Sequence, residues 1–165
     1  MKHAEHGKII GLSIAKAIDS AEASCSKAGI RLTEKRKNVL KTLLASDTAL
    51  SAYDIVDEYR AEFQDSIPVM SVYRMLEVLA HENLVHKLAS VNKYVACAHI
   101  SCDHNHEIPQ FLICDQCETV REIGVRKDII ESLQDSVSNS GFMLTSQQME
   151  LHGRCSDCQQ AVEST

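Results

Sequence analysis

Four of the seven cysteines stand in two CxxC pairs, Cys114/Cys117 in CDQC and Cys155/Cys158 in CSDC. Two residues between thiolates let both sulfurs of a knuckle reach one ion at about 2.3 Å, and two knuckles close a tetrahedral structural zinc site. The 37 residues between Cys117 and Cys155 exceed the usual zinc-ribbon spacing, but they can hold a helix and a strand that return the second knuckle to the first. A redox CxxC needs a thioredoxin-like βαβ setting, and a second such motif would be surplus. Disulfides are disfavoured in a reducing compartment, and an odd count leaves one thiol over. The quartet is expected to hold structural zinc.

A second, looser set comprises His86 in LVHKL, Cys97 in YVACA, His104 and His106 in HNHEIP, and Glu122 in VREI. Nitrogen, sulfur and oxygen ligands together suit zinc, and one thiolate makes the site softer than an iron or manganese site. Histidines on a hairpin are also commonly solvated or hydrogen-bonded, so spacing alone leaves this set open. Cys25 reads as a small buried apolar residue, and His99 and Cys102 as at most subsidiary contacts. His152 reads as a hydrogen-bond partner beside the second knuckle, since four thiolates already close that site.

These residues need elements to hold them. Ile9, Leu12, Ala15 and Ile18 predict a helix over 9–25 that ends before Gly29. Thr33 caps a second helix with Val39, Leu40, Leu43 and Leu44 on one stripe. Ser51-Ala-Tyr-Asp54 reads as a capping box opening a third helix, 52–62, with Ile55, Val56 and Tyr59 inward. Val72, Leu76 and Leu79 predict a fourth over 69–82. Two β-like runs, 84–88 and 93–97, then form a ribbon that carries His86 and Cys97. Helices closed by a ribbon make the pattern of a winged helix-turn-helix. Residues 98–109 lack periodicity and read as a linker. Beyond it come strands at 111–114 and 119–123, a helix at 126–139 stopped at Ser140-Gly141, a strand at 142–151 and a polar tail. The fold class is α+β.

The 165 residues carry a formal net charge of −6, with 44% hydrophobic and 24% charged residues, which is globular composition. Residues 1–90 hold 12 basic and 12 acidic residues, whereas 91–165 hold 5 and 11. Six basic residues between Lys27 and Lys41 face one acid, Glu34, so a basic patch sits on a neutral half. No apolar run approaches the roughly 20 residues that span a bilayer, and the start has no signal-peptide core, so a cytoplasmic protein is expected.

RLTEKR, SAYDI, SVYRMLEVL, LVHKL, YVAC, the HxH before FLICDQC, and LHGRCSDC resemble the ferric uptake regulator superfamily in order and spacing, over about residues 25–158. Within it the chain looks like the zinc uptake regulator branch. The iron-sensing branch usually carries a histidine run with an Asp where this chain has Ile108-Pro109-Gln110-Phe111, and tends to have an acid where Cys97 stands. The resemblance implies a winged-helix DNA-binding domain at 1–97, a hinge linker at 98–109, and a zinc-stabilised α+β dimerisation domain at 110–165. It implies two zinc ions per subunit, with the regulatory one on His86, Cys97, one histidine of the HxH, and Glu122. The family's third ligand stands seven residues before Cys114, where this chain has Glu107, so the linker carries one extra residue. His106 is taken as the ligand and His104 as the reserve.

For DNA, the resemblance implies that the SVYR helix enters the major groove. Arg74 would pair with guanine, and Tyr53 and Tyr73 would touch phosphate, sugar or thymine methyl unless Tyr73 packs the core. Ser71 would cap or touch a phosphate, and Lys35, Arg36 and Lys37 would position the backbone. The expected function is a zinc-responsive repressor that binds palindromic operator DNA as a homodimer and controls zinc uptake genes. No membrane and no small-molecule substrate is expected. The alternative within the superfamily senses iron, manganese or peroxide. Outside it stand a zinc hydrolase or redox enzyme, disfavoured because four protein ligands leave no open position, and a zinc store.

Overall fold

A computed structural model describes residues 11–101 and 108–163. The chain divides into two compact units, Met1–Cys102 and Asp103–Thr165.

In the first unit α1 (Gly11–Lys27), α2 (Glu34–Ala45), α3 (Ala52–Phe63) and α4 (Val69–His81) precede a hairpin of β1 (Val85–Leu88) and β2 (Lys93–Ala96). The helix boundaries have local causes. Gly29 at φ +74° ends α1 in a Schellman turn, with Ile30 N–H donating to Cys25 O at 2.8 Å and Gly29 N–H to Ser26 O at 3.1 Å. Asn83 at φ +56° does the same for α4 through Leu84 N–H to Leu79 O. Thr33 accepts from Arg36 N–H at the start of α2, and Ser51 with Asp54 forms a reciprocal capping box on α3. The inward stripes Val39/Leu40/Leu43/Leu44, Ile55/Tyr59 and Val72/Leu76/Leu79 are buried and join α1 and the hairpin in one core. Val56, expected inward, is only half-buried against it.

The hairpin is anchored to this core. Leu50, just before α3, exchanges both backbone hydrogen bonds with Tyr94 in β2, at 3.0 and 2.8 Å, an isolated antiparallel bridge on the edge of the hairpin.

The second unit is a three-stranded sheet with two helices. β3 (Pro109–Cys114) is central, β4 (Val120–Gly124) pairs antiparallel on one side, and β5 (Glu150–Gly153) pairs parallel on the other. α5 (Lys127–Asn139) lies between β4 and β5 in sequence and ends in a third Schellman turn at Gly141, φ +79°. Three expectations are corrected here. The strand predicted over 142–151 is paired only from Glu150 onward, since 142–149 has no partner strand among the described residues. The polar tail is not tail throughout, because α6 (Ser156–Glu163) begins inside the second knuckle and carries Cys158 in its first turn. The linker expectation also ends early, as Pro109 already belongs to β3.

Candidate metal centres and nucleic-acid interface

The sheet delivers the four knuckle cysteines to one point. Cys114 ends β3, and the chain turns back through Asp115-Gln116-Cys117, with Glu118 at φ +59° donating its N–H to Cys114 O at 3.0 Å. On the parallel neighbour Gly153 stands opposite Cys114, and Asp115 N–H donates to Gly153 O at 2.9 Å. Cys155 therefore emerges beside Cys114, with its N–H 3.4 Å from Cys114 Sγ. The first turn of α6 brings Cys158 back, as Gln159 N–H donates to Cys155 O at 3.0 Å.

All four sulfurs lie within 4.8 Å of one another. Cys117 and Cys155 Sγ are 3.6 Å apart, close to the roughly 3.8 Å edge of a tetrahedron with 2.3 Å metal–sulfur bonds. The electrostatics suit a cation. Backbone N–H groups of Cys117, Cys155 and Gln116 favour the Cys114 thiolate and hold its pKa at about 6. Thr119, 3.2 Å from Cys117 Sγ, pulls that thiol down as well. Cys158 is pushed up to about 12, first by Cys155 beside it and then by burial and the other two sulfurs. Four thiolates this close repel one another unless a dication sits among them. A sulfur-only tetrahedral set selects zinc or iron–sulfur chemistry, so the donors fit zinc.

The surroundings hold groups that spacing alone did not single out. Asp115, inside the first knuckle, pairs with His152 Nδ1 at 2.8 Å, so the histidine next to the second knuckle bonds the first. Gln110 is fully buried; its Nε2 donates to Gln147 O at 2.9 Å and its Oε1 accepts from Met149 N–H, which seats the approach to β5 along β3. The only signal for it in the sequence is a polar residue inside the run IPQFLIC.

Of the second candidate set, His86 and Cys97 come together on the hairpin. His86 in β1 faces Val95, while Cys97, just past β2, donates its N–H to Leu84 O at 2.9 Å. The two are thus diagonal neighbours on one face, with donor atoms within 4.8 Å of each other. Cys97 is buried and His86 half-buried. An imidazole and a thiolate at this separation fit zinc better than harder ions. Glu122 is half-buried in β4 of the second unit, opposite Phe111. His104, His106 and Cys102 lie outside the described residues. Cys25 is 1% exposed, and burial raises its thiol pKa, as suits a packing role.

The candidate DNA contacts all belong to the first unit. Arg74 is exposed on α4, opposite buried Val72, Leu76 and Leu79. Tyr53 is 66% exposed in the first turn of α3, Ser71 is half-buried in the first turn of α4, and Tyr73 packs partly against the core. Lys35 is exposed and 3.9 Å from Asp65. Arg36 is half-buried, its Nη1 donating to Arg31 O at 2.8 Å. Lys37 is tied to Glu22 at 2.9 Å and Glu34 at 3.8 Å, which leaves it a strut between α1 and α2.

Residues 27–152 match the ferric uptake regulator family. The chain belongs to that family. A zinc uptake regulation protein of Escherichia coli (strain K12) is 39% identical over 142 residues, covering 84% of this chain and 78% of the relative. A ferric uptake regulation protein of Campylobacter upsaliensis is 32% identical over 136 residues, covering 80% and 82%. Among solved structures, a zinc uptake regulator complexed with zinc and DNA superposes with a TM-score of 0.78 at 30% identity, over 93% of this chain and 99% of that one. Within the ferric uptake regulator family, the likeness runs to the zinc uptake regulators. The α+β class, with a helical N-terminal unit ahead of a small sheet, is that of the family. No helix among the described residues is long and apolar enough to cross a membrane.

Proposed function

We propose that the chain is a zinc-responsive transcriptional repressor that binds palindromic operator DNA as a homodimer and shuts off zinc uptake genes. The observation that carries this reading is the His86–Cys97 pair, a nitrogen and a sulfur donor on the wing of a winged helix. In this reading residues 1–97 bind DNA, 98–108 form the hinge and 109–165, from the start of β3, dimerise. Each subunit takes two zinc ions. Cys114, Cys117, Cys155 and Cys158 hold the structural one, and His86, Cys97, Glu122 and one of His106 or His104 the regulatory one. When bound there, zinc supplies a divalent cross-link between ligands and no open coordination position, so no catalysis is assigned.

The protein's own residues do the rest. α4 presents Arg74 to the major groove, and its first turn has no acid and no side-chain cap, so its N-terminal N–H groups suit phosphate. Tyr53, Ser71, Tyr73, Lys35 and Arg36 supply positioning contacts. Ligands drawn from wing, linker and dimerisation domain restrict the separation of the two recognition helices, which a palindrome with fixed half-site spacing reads. Dimerisation through the second unit is supported by its exposed apolar residues, Leu112, Leu151, Ile129, Leu133, Phe142 and Met143.

The test is Cys97→Ser. This variant should keep about one zinc per subunit, remain dimeric, and fail to gain affinity for duplexes selected from a random pool when zinc is added. A normal zinc response overturns the regulatory assignment. Parallel titration with iron and manganese separates the metal classes, and His104→Ala beside His106→Ala decides the linker ligand.

A further inference from the structure

Among the described residues of the first unit, the large apolar side chains left exposed are Tyr53 and Met70. Met70 is 62% exposed in the first turn of α4. Burial along α4 fixes its direction: Val72, Leu76 and Leu79 point into the core, while Met70, Arg74 and Glu77, at spacings of four and three, stay exposed on the opposite face. Met70 therefore shares the face of Arg74, one turn nearer the helix start. Helices that enter the major groove present their N-terminal residues to base edges, and the one apolar group on those edges is the thymine C5 methyl. A thioether on three rotatable bonds adapts readily to such a methyl. Its exposure also separates it from folding, because it belongs to no core cluster.

We infer that Met70 is a specificity-determining residue that packs against a thymine methyl close to the base pair contacted by Arg74. This rests on the reading of α4 as the recognition helix. Four residues along a helix advance about 6 Å, and base pairs are 3.4 Å apart, so the thymine lies within about two base pairs of the Arg74 guanine. Arg74 selects a hydrogen-bonding edge and Met70 an apolar one, and the pair defines a short word in each half-site.

The experiment uses zinc-loaded full-length protein and duplexes it enriches from a random pool. The Arg74 guanine is the one whose replacement weakens wild type but not Arg74→Ala. Each thymine of one half-site is then replaced by deoxyuridine, which pairs identically and lacks only the methyl. Wild type should lose roughly fourfold at one thymine near that guanine, the worth of a buried methyl group. Met70→Ala should bind the thymine and deoxyuridine duplexes equally, with zinc content and dimer unchanged. The inference is overturned if wild type ignores every single replacement, or if Met70→Ala stays as sensitive as wild type at that thymine. Failure to enrich any sequence overturns the operator-binding reading itself, and is thereby distinguished from failure of the Met70 assignment alone.

Discussion

The two units are stabilised by different physics. The first packs α1 through α4 and the hairpin around Leu40, Ile55, Tyr59, Val72, Leu76 and Leu79, each at most 1% exposed, and its helix ends are closed by caps and Schellman turns. The second buries Phe111, Ile113, Ile130, Gln110 and two of its knuckle cysteines, while Phe142 and Met143 stay 74% and 84% exposed. A unit of about 60 residues rarely stabilises itself by burial alone. Burial makes the first unit; in the reading proposed above, ligation and association complete the second. In that reading a regulator benefits from the division, because a DNA-reading unit held by burial should stay folded whatever the metal supply.

Cys114→Ser should break the comparison most visibly. Structural zinc is worth on the order of 10 kcal/mol of folding free energy in small domains. Losing one thiolate should release the tightly held zinc, scatter the second unit and abolish the dimer. Amide protection in the first unit should be unchanged, since its core residues and the four cysteines belong to different units. Loss of protection in α2 and α3 as well would show that the units are not independent. A folded, dimeric, zinc-free variant would show that the quartet is not structural.

The reciprocal cut is Leu40→Ala. Leu40 is fully buried in α2, and truncation of a buried leucine costs about 2–5 kcal/mol. Thermal unfolding followed by helix signal should fall accordingly, with zinc content held at the wild-type level. A matching loss of zinc would again join what the comparison separates.

The contrast also explains what could be read from the sequence. Helix stripes, caps and Schellman glycines are local and periodic, so the end of α1 and the starts of α2 and α3 were legible from Gly29, Thr33 and Ser51. The CxxC spacing states its own chemistry, and the hairpin period puts His86 and Cys97 on one face. Nonlocal pairings were not legible. Nothing in residues 142–151 tells that only Glu150 and its neighbours find β3, because the apolar residues Phe142 to Leu144 resemble a strand while remaining exposed. The Leu50–Tyr94 bridge and the Gln110 contacts to Gln147 and Met149 join residues more than 35 positions apart. α6 is short and polar, and its position is set by the knuckle whose Cys158 it carries.

The smallest expected effect lies in the capping box of α3. Ser51 hydroxyl and N–H donate to Asp54 Oδ2 at 2.7 and 2.8 Å, and Asp54 N–H donates to Ser51 Oγ at 3.1 Å. These bonds, the hydroxyl first, hold the Asp54 pKa below its ordinary 3.8. A carboxylate depressed on folding stabilises fully above its unfolded pKa, and that contribution fades as pH falls through the lower folded value. Removing a cap interaction costs about 1 kcal/mol, so Asp54→Ala should shift α3 amide protection modestly and by a constant amount near neutral pH. Below about pH 4 the gap between variant and wild type should close. Acid would also protonate the quartet's cysteines and release zinc held there, so the readout must be exchange in α3, which belongs to the other unit. A gap that widens on acidification would mean that Asp54 is stabilised as the neutral acid, contrary to the capping geometry.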